Sequence, residues 1–174
     1  MKHDSGEGQN RLSRRKEMLR KRLPEGEIGV YLVGKKFFRI EQQPQRDPTF
    51  VSNRRNVVTS FSLPKNYGNL GYLAHNTLAG AFFFDLEIGD EVMVLPEFGN
   101  SMHYRVTQIA KYRALQPRNP RSRFINIQTD QQCSAGDVFR QIYTGAEHMV
   151  LQTCIAKDDV PEWGRIFIIA EPIP

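Results

Sequence analysis

The chain has 174 residues, 40% of them hydrophobic, and a formal net charge of +5. That hydrophobic share excludes a disordered chain, and the length suits one domain with a sizeable core. No apolar run approaches the roughly 18 residues that a membrane-spanning helix needs, and the N-terminus lacks the apolar block of a secretory signal, so the sequence reads as a soluble chain.

The charge is unevenly placed. Eight of the 24 lysines and arginines, but only three of the 19 acidic residues, fall within residues 1–23. The remainder holds sixteen of each and is neutral. Residues 11–22 alone carry seven basic side chains opposed only by Glu17. We therefore expect a basic, flexible arm over residues 1–23 and a folded domain over residues 24–174. The arm suits either an anionic membrane surface or polyanion, or plain solvation as a tail. The neutral body argues against nucleic acid as a partner.

After the arm, short β-type runs alternate with turn residues. Residues 28–33 and 37–40 flank Gly34-Lys35-Lys36 and predict a hairpin. A polar stretch with Pro44 and Pro48 precedes a strand over 56–63, ended by Pro64, and another over 70–75. Residues 76–86 break the pattern: Asn76 or Thr77 caps a short helix with Leu78, Phe82 and Leu86 on one face. Residues 91–95 and 103–112 predict a second hairpin, followed by a Pro/Arg-rich loop over 113–123. Strands are expected over 124–129 and 138–143, then over 149–154 and 165–170. The fold class is mostly β, a barrel or sandwich.

Two cysteines are too few for a disulfide scaffold or a zinc cluster. Cys133 stands in a polar loop context, whereas Cys154 falls on the last residue of an apolar strand, so the pair are not matched. A cysteine buried within a strand is commonly filler. At a strand end facing a loop it is placed for chemistry, provided that a proton partner and help for an oxyanion are at hand. Of four histidines, His3 lies in the arm, and His103 and His148 begin strands as ordinary surface residues. His75 ends an apolar strand just before the helical turn, as a general base or as a hydrogen-bonded structural imidazole. Arg165 opens the last strand eleven residues after Cys154, either as a fork of donors near developing charge or as the partner of Asp158 or Glu162.

These residues carry a resemblance. The run VLQTC, followed after ten residues by RIFIIAEPI, resembles the sortase pattern of a strand ending Thr-Cys and an Arg that opens the final strand. Upstream, LGYLAHNTLAGAFFFDLEIGDEVMVL is similar to that family's His-bearing strand, aromatic helical turn and Gly-Asp entry to the next strand, and YRVTQIAKY to the strand after it. The likeness spans residues 56–170.

The resemblance implies a closed barrel of about eight strands and a cysteine transpeptidase of cell-surface proteins. Cys154 would be the nucleophile that forms a thioacyl-enzyme, His75 the general acid/base, and Arg165 the oxyanion or substrate-holding group. Thr153, before the nucleophile with its side chain on the opposite strand face, matches the family's threonine and is assigned to substrate binding. A sorting-signal peptide and an amine acceptor would be the partners, at the outer face of a bacterial membrane. The chain departs from the family in having Ala74 where glycine usually precedes the histidine. It also lacks a membrane helix, though its basic arm would suit a position beside one. No cofactor is implied, and Asp130 and Asp137 are too sparse for a calcium site in the 113–145 stretch. Two other functions fit the same residues: a catalytically idle binding barrel, and a polyanion-binding β-domain that uses the arm.

Overall fold

The computed structural model describes residues 27–174, and the basic arm expected over residues 1–23 lies outside them. Ten strands follow in chain order: β1 (Glu27–Leu32), β2 (Lys36–Gln42), β3 (Val57–Ser60), β4 (Leu70–Leu73), β5 (Glu91–Pro96), β6 (Met102–Ala114), β7 (Phe124–Asn126), β8 (Gln132–Cys133), β9 (Met149–Lys157) and β10 (Val160–Pro172). Helix α1 (Ser62–Lys65), a 3-10 helix (Ala79–Asp85) and helix α2 (Ala135–Tyr143) interrupt them.

The sheet runs β10-β9-β4-β3-β2-β1-β5-β6, and β6 returns to pair with β10, so eight strands close a barrel. β7 and β8 extend from β6 outside the ring. The mostly β, eight-stranded barrel expected from the sequence is the architecture observed. Closure leaves no edge along the ring, which removes a row of unpaired backbone groups.

Two cores sit on the two faces of this sheet. Inside the barrel, Val30, Phe38, Tyr72, Phe83, Leu151, Ile166 and Ile168 pack together. Outside, α2 lays Val138, Ile142 and Tyr143 against Val150, Phe167 and Ile169. Strands β9 and β10 serve both cores because successive side chains point to opposite faces. Val150 faces outward and Leu151 inward; Phe167 faces outward and Ile166 and Ile168 inward.

Several sequence expectations need correction. Residues 138–143 form helix rather than strand. A capping box starts α2: the Ser134 hydroxyl accepts from the Asp137 N–H, and the Asp137 carboxylate accepts from the Ser134 N–H. The strand expected over 124–129 stops at Asn126, and that over 56–63 at Ser60, with Pro64 inside α1. Residues 79–85 form a 3-10 helix with no side-chain cap. The helix buries Ala79, Gly80 and Phe83, and Leu86 just beyond it is buried too, while Phe82, expected on the face of Leu78 and Leu86 at α-helical spacing, is exposed.

Candidate active site

Strand β9 aims the thiol. Cys154 shares the parity of Val150 and Gln152, so it projects outward, while Leu151 and Thr153 turn into the barrel. The strand does not end at Cys154, as expected, but continues to Lys157. A two-residue turn explains the extension. Asp158 and Asp159 hold φ of 49° and 61°, the left-handed pair that a tight hairpin demands and that Asp tolerates, so β9 and β10 pair up to the turn.

Arg165 is likewise inside its strand and not at its start. Across the ladder it stands opposite Cys154. Between Val160 and Gly164 the register slips, leaving Pro161, Glu162 and Trp163 opposite a shorter stretch of β9. Such a bulge accommodates a proline, which has no N–H for the ladder, and re-aims its neighbours. Both of its leading carbonyls are tied down: Asn76 Nδ2 donates to Pro161 O at 3.0 Å, and Arg165 Nη1 to Glu162 O at 3.0 Å. Gly164 ends the bulge where a Cβ would come within 2.6 Å of Tyr112 O.

Arg165 pairs with no carboxylate among the described residues. Its Nη1 also donates to Gly164 O at 2.9 Å and its Nη2 to Pro117 O at 3.3 Å, which ties the β6–β7 loop to the site. A guanidinium has five N–H donors, so these three bonds leave two for another acceptor.

His75 lies two residues beyond the end of β4. It keeps the outward parity of Gly71 and Leu73, which places it on the same barrel face as Cys154 and Arg165. Its carbonyl accepts from Leu78 N and Gly80 N, both at 3.0 Å, so the chain folds sharply at this residue. Thr153 is buried, and its hydroxyl donates to Ala74 O at 2.7 Å. Asn76, expected to cap a helix, bridges to the bulge instead.

His75, Cys154 and Arg165 line one pocket of about 420 Å3. Apolar wall comes from Pro48 and Val51 of the β2–β3 loop, Phe61, Phe139 and Tyr143 of the outer core, and Pro120 of the β6–β7 loop, while Thr49, Asn76, Gln152 and Glu162 add polar groups. Gln43 secures the β2–β3 loop, donating to Pro48 O at 2.9 Å and Phe50 O at 3.2 Å. The pocket thus combines apolar wall with a set of polar and charged side chains, a lining suited to a peptide.

Burial pushes the Cys154 thiol up from its ordinary value, the Arg165 charge pulls it back, and the Glu162 charge adds to the rise. Desolvation is the largest of these influences, and Arg165 is the neighbour that favours the anion. No hydrogen bond joins the His75 ring to the Cys154 sulfur in this structure; the two share the pocket without a direct link.

The other candidates fall elsewhere. His148, expected at the surface, is buried, with its ring nitrogens 2.6 Å from Ala146 O and 2.7 Å from Ile142 O. His103 is exposed beside Ser101 Oγ at 2.9 Å. Cys133, read as a polar-loop thiol, is buried in the outer core, and both cysteines are free. Sequence reasoning missed the groove walls, which no local pattern marks because they converge from distant segments. Among the described residues no helix is long and apolar enough to cross a membrane.

No protein-family model matches the chain, and no curated protein matches it. Solved structures do. Sortase C1 from Streptococcus suis superposes with a TM-score of 0.57 at 14% identity, over 96% of this chain and 80% of that one. Sortase E1 from Streptomyces coelicolor, solved with a tripeptide in its active site, gives 0.54 at 14% identity, over 86% and 89%. Sortase A from Listeria monocytogenes gives 0.53 at 11% identity, over 86% and 89%. With the closed barrel and these superpositions together, the chain has the fold of the sortases.

Proposed function

We propose that the protein is a sortase-type cysteine transpeptidase with Cys154 as nucleophile, His75 as general acid/base and Arg165 as oxyanion donor. The observation that carries this reading is that His75, Cys154 and Arg165 line one pocket, with Cys154 opposite Arg165 across the β9–β10 ladder.

In the proposed reaction a peptide lies along the groove with its scissile carbonyl at Cys154. The thiol proton passes to the His75 imidazole as the S–C bond forms. The two uncommitted donors of Arg165 face the carbonyl oxygen as it gains charge. The C–N bond then breaks, His75 returns the proton to the leaving amine, and a thioester remains. An incoming amine attacks the thioester, loses its proton through His75 and takes the acyl group, which restores the thiol. No cofactor takes part. The substrate class is a sorting-signal peptide of a surface protein, and the basic residues 1–23 supply attraction to an anionic membrane face on the outside of a bacterial cell.

The test is incubation with a library of Leu-Pro-x-Thr-Gly-like peptides and an amine, read by mass spectrometry. A peptide-sized thioacyl adduct on Cys154, absent from Cys154→Ala, supports the reading. Peptide retention without any adduct points to an idle binding barrel.

A further inference from the structure

We propose that Thr153 is a positioning residue: by binding the Ala74 carbonyl, its hydroxyl fixes the turn that carries His75 against the strand that carries Cys154. This rests on the reading of His75 and Cys154 as acid/base and nucleophile.

Thr153 is 2% exposed and lies on the inward parity of β9, opposite to Cys154. Its hydroxyl is already donated at 2.7 Å to Ala74 O. Thr153 is among the residues that line the groove, but its hydroxyl proton is committed to Ala74 O, so a structural link to the segment carrying the histidine is already made.

The link is set by the way β4 ends. β4 and β9 run parallel in register, with Leu73 opposite Gln152, and the Ala74 N–H continues the ladder to Gln152 O at 3.2 Å. A regular parallel ladder would next join the Cys154 N–H to the Ala74 carbonyl. That rung is not formed, and the Thr153 hydroxyl takes the carbonyl in its place. The chain is thus released from the sheet at Ala74, free to turn at His75, yet held to β9 at both ends of the Ala74 residue.

The return of the turn meets the same hydroxyl. The His75 carbonyl accepts from Leu78 N and Gly80 N, and at Gly80 an added Cβ would come within 2.2 Å of Thr153 Oγ1 and 2.7 Å of His75 O. One hydroxyl is enclosed between the outgoing Ala74 and the returning Gly80. Removing it leaves the buried Ala74 carbonyl without this donor, and the turn must move to find another. Misplacement of a reacting group by about 1 Å costs on the order of 10²-fold in rate.

The experiment compares Thr153→Ser, Thr153→Val and Thr153→Ala in the full chain with 13C-labelled histidine, His75 being assigned from His75→Gln. Val and Ala are expected to move the His75 ring Cε1–Hε1 signal and to lower kcat for thioacyl formation about 10- to 100-fold, with KM within about twofold. Ser is expected to restore both. An unmoved His75 signal in Val, or a Ser variant as damaged as Val, overturns the proposal, since the hydroxyl alone would then not set the position of His75. Should Val and Ala unfold the barrel, Gly80→Ala pushes a methyl onto the same hydroxyl, and a His75 signal unchanged there overturns it equally. The ring signal reads His75 without any substrate. Failure of the transpeptidase reading appears separately, as a wild-type protein that forms no adduct.

Discussion

Arg165 stands opposite Cys154 across the β9–β10 ladder, yet three of its five donors are held by the carbonyls of Glu162, Gly164 and Pro117. Its position is therefore secured by the backbone, and only the remaining two donors are available to a substrate oxygen.

This count makes the lysine substitution informative. An ammonium has three donors, so a lysine able to replace all of Arg165's backbone bonds has none left, and it lacks the planar fork. Arg165→Lys should lower kcat/KM for a cleaved peptide by roughly 10²-fold, close to Arg165→Ala. A Lys variant with wild-type kinetics would reduce the role of Arg165 to unspecific charge.

The thiol offers a second measurement. Burial raises Cys154, Arg165 lowers it, and Glu162 raises it further. Alkylation by iodoacetamide should therefore climb with pH to above the ordinary thiol range. Removing the nearby anion stabilises the thiolate, so Glu162→Gln should shift the curve to lower pH and speed labelling at pH 7. Arg165→Ala should shift it upward and slow labelling. The opposite order of the two variants would mean that the charges act through some other contact.

Cys133 has changed standing. It is packed with Phe124 and Val138 in the outer core and bonds only weakly, at 3.9 Å, to Gln131 O. Cys133→Ser should leave turnover intact but cost stability, on the order of 1–3 kcal/mol for a buried hydroxyl with poor partners, as a fall in melting temperature. Loss of turnover with an unchanged melting temperature would give this thiol a chemical role.

Residues 1–23 hold the whole net charge, whereas every proposed catalytic residue lies at or beyond His75. Deleting them should leave peptide cleavage and the melting temperature nearly unchanged. Binding to anionic vesicles or heparin at low salt should be lost, because what remains is neutral. A truncated protein that unfolds would assign the arm to the domain.

How much of this could be read from the chain depends on the range of the interaction. Most of the strands follow from the two-residue period, although β9 ends three residues later and β10 starts five residues earlier than that period marks. The apolar residues of 138–143 suggest a strand, since a short run satisfies both periods, and the capping box Ser134–Asp137 decides for helix. The bulge at residues 161–163 depends on a bond from Asn76 to Pro161 O, 85 positions away. No local pattern carries that information. Nor does one carry the groove, whose walls come from the β2–β3 loop, the β6–β7 loop and α2.

The tight turn at Asp158-Asp159 has a consequence for how the site comes into being. It joins the strands of Cys154 and Arg165 into a local hairpin, a contact between residues eleven positions apart that closes in roughly microseconds. His75 reaches the same place only through the parallel pairing of β4 with β9, across 79 positions. Long closures lag behind local ones. Thiol and guanidinium should thus meet first, and the imidazole should complete the site as the barrel closes. In pulse-labelled refolding, amides of β9 and β10 that bond each other should gain protection before those that link β4 to β9. Simultaneous protection would mean that barrel closure, and not the hairpin, nucleates the site.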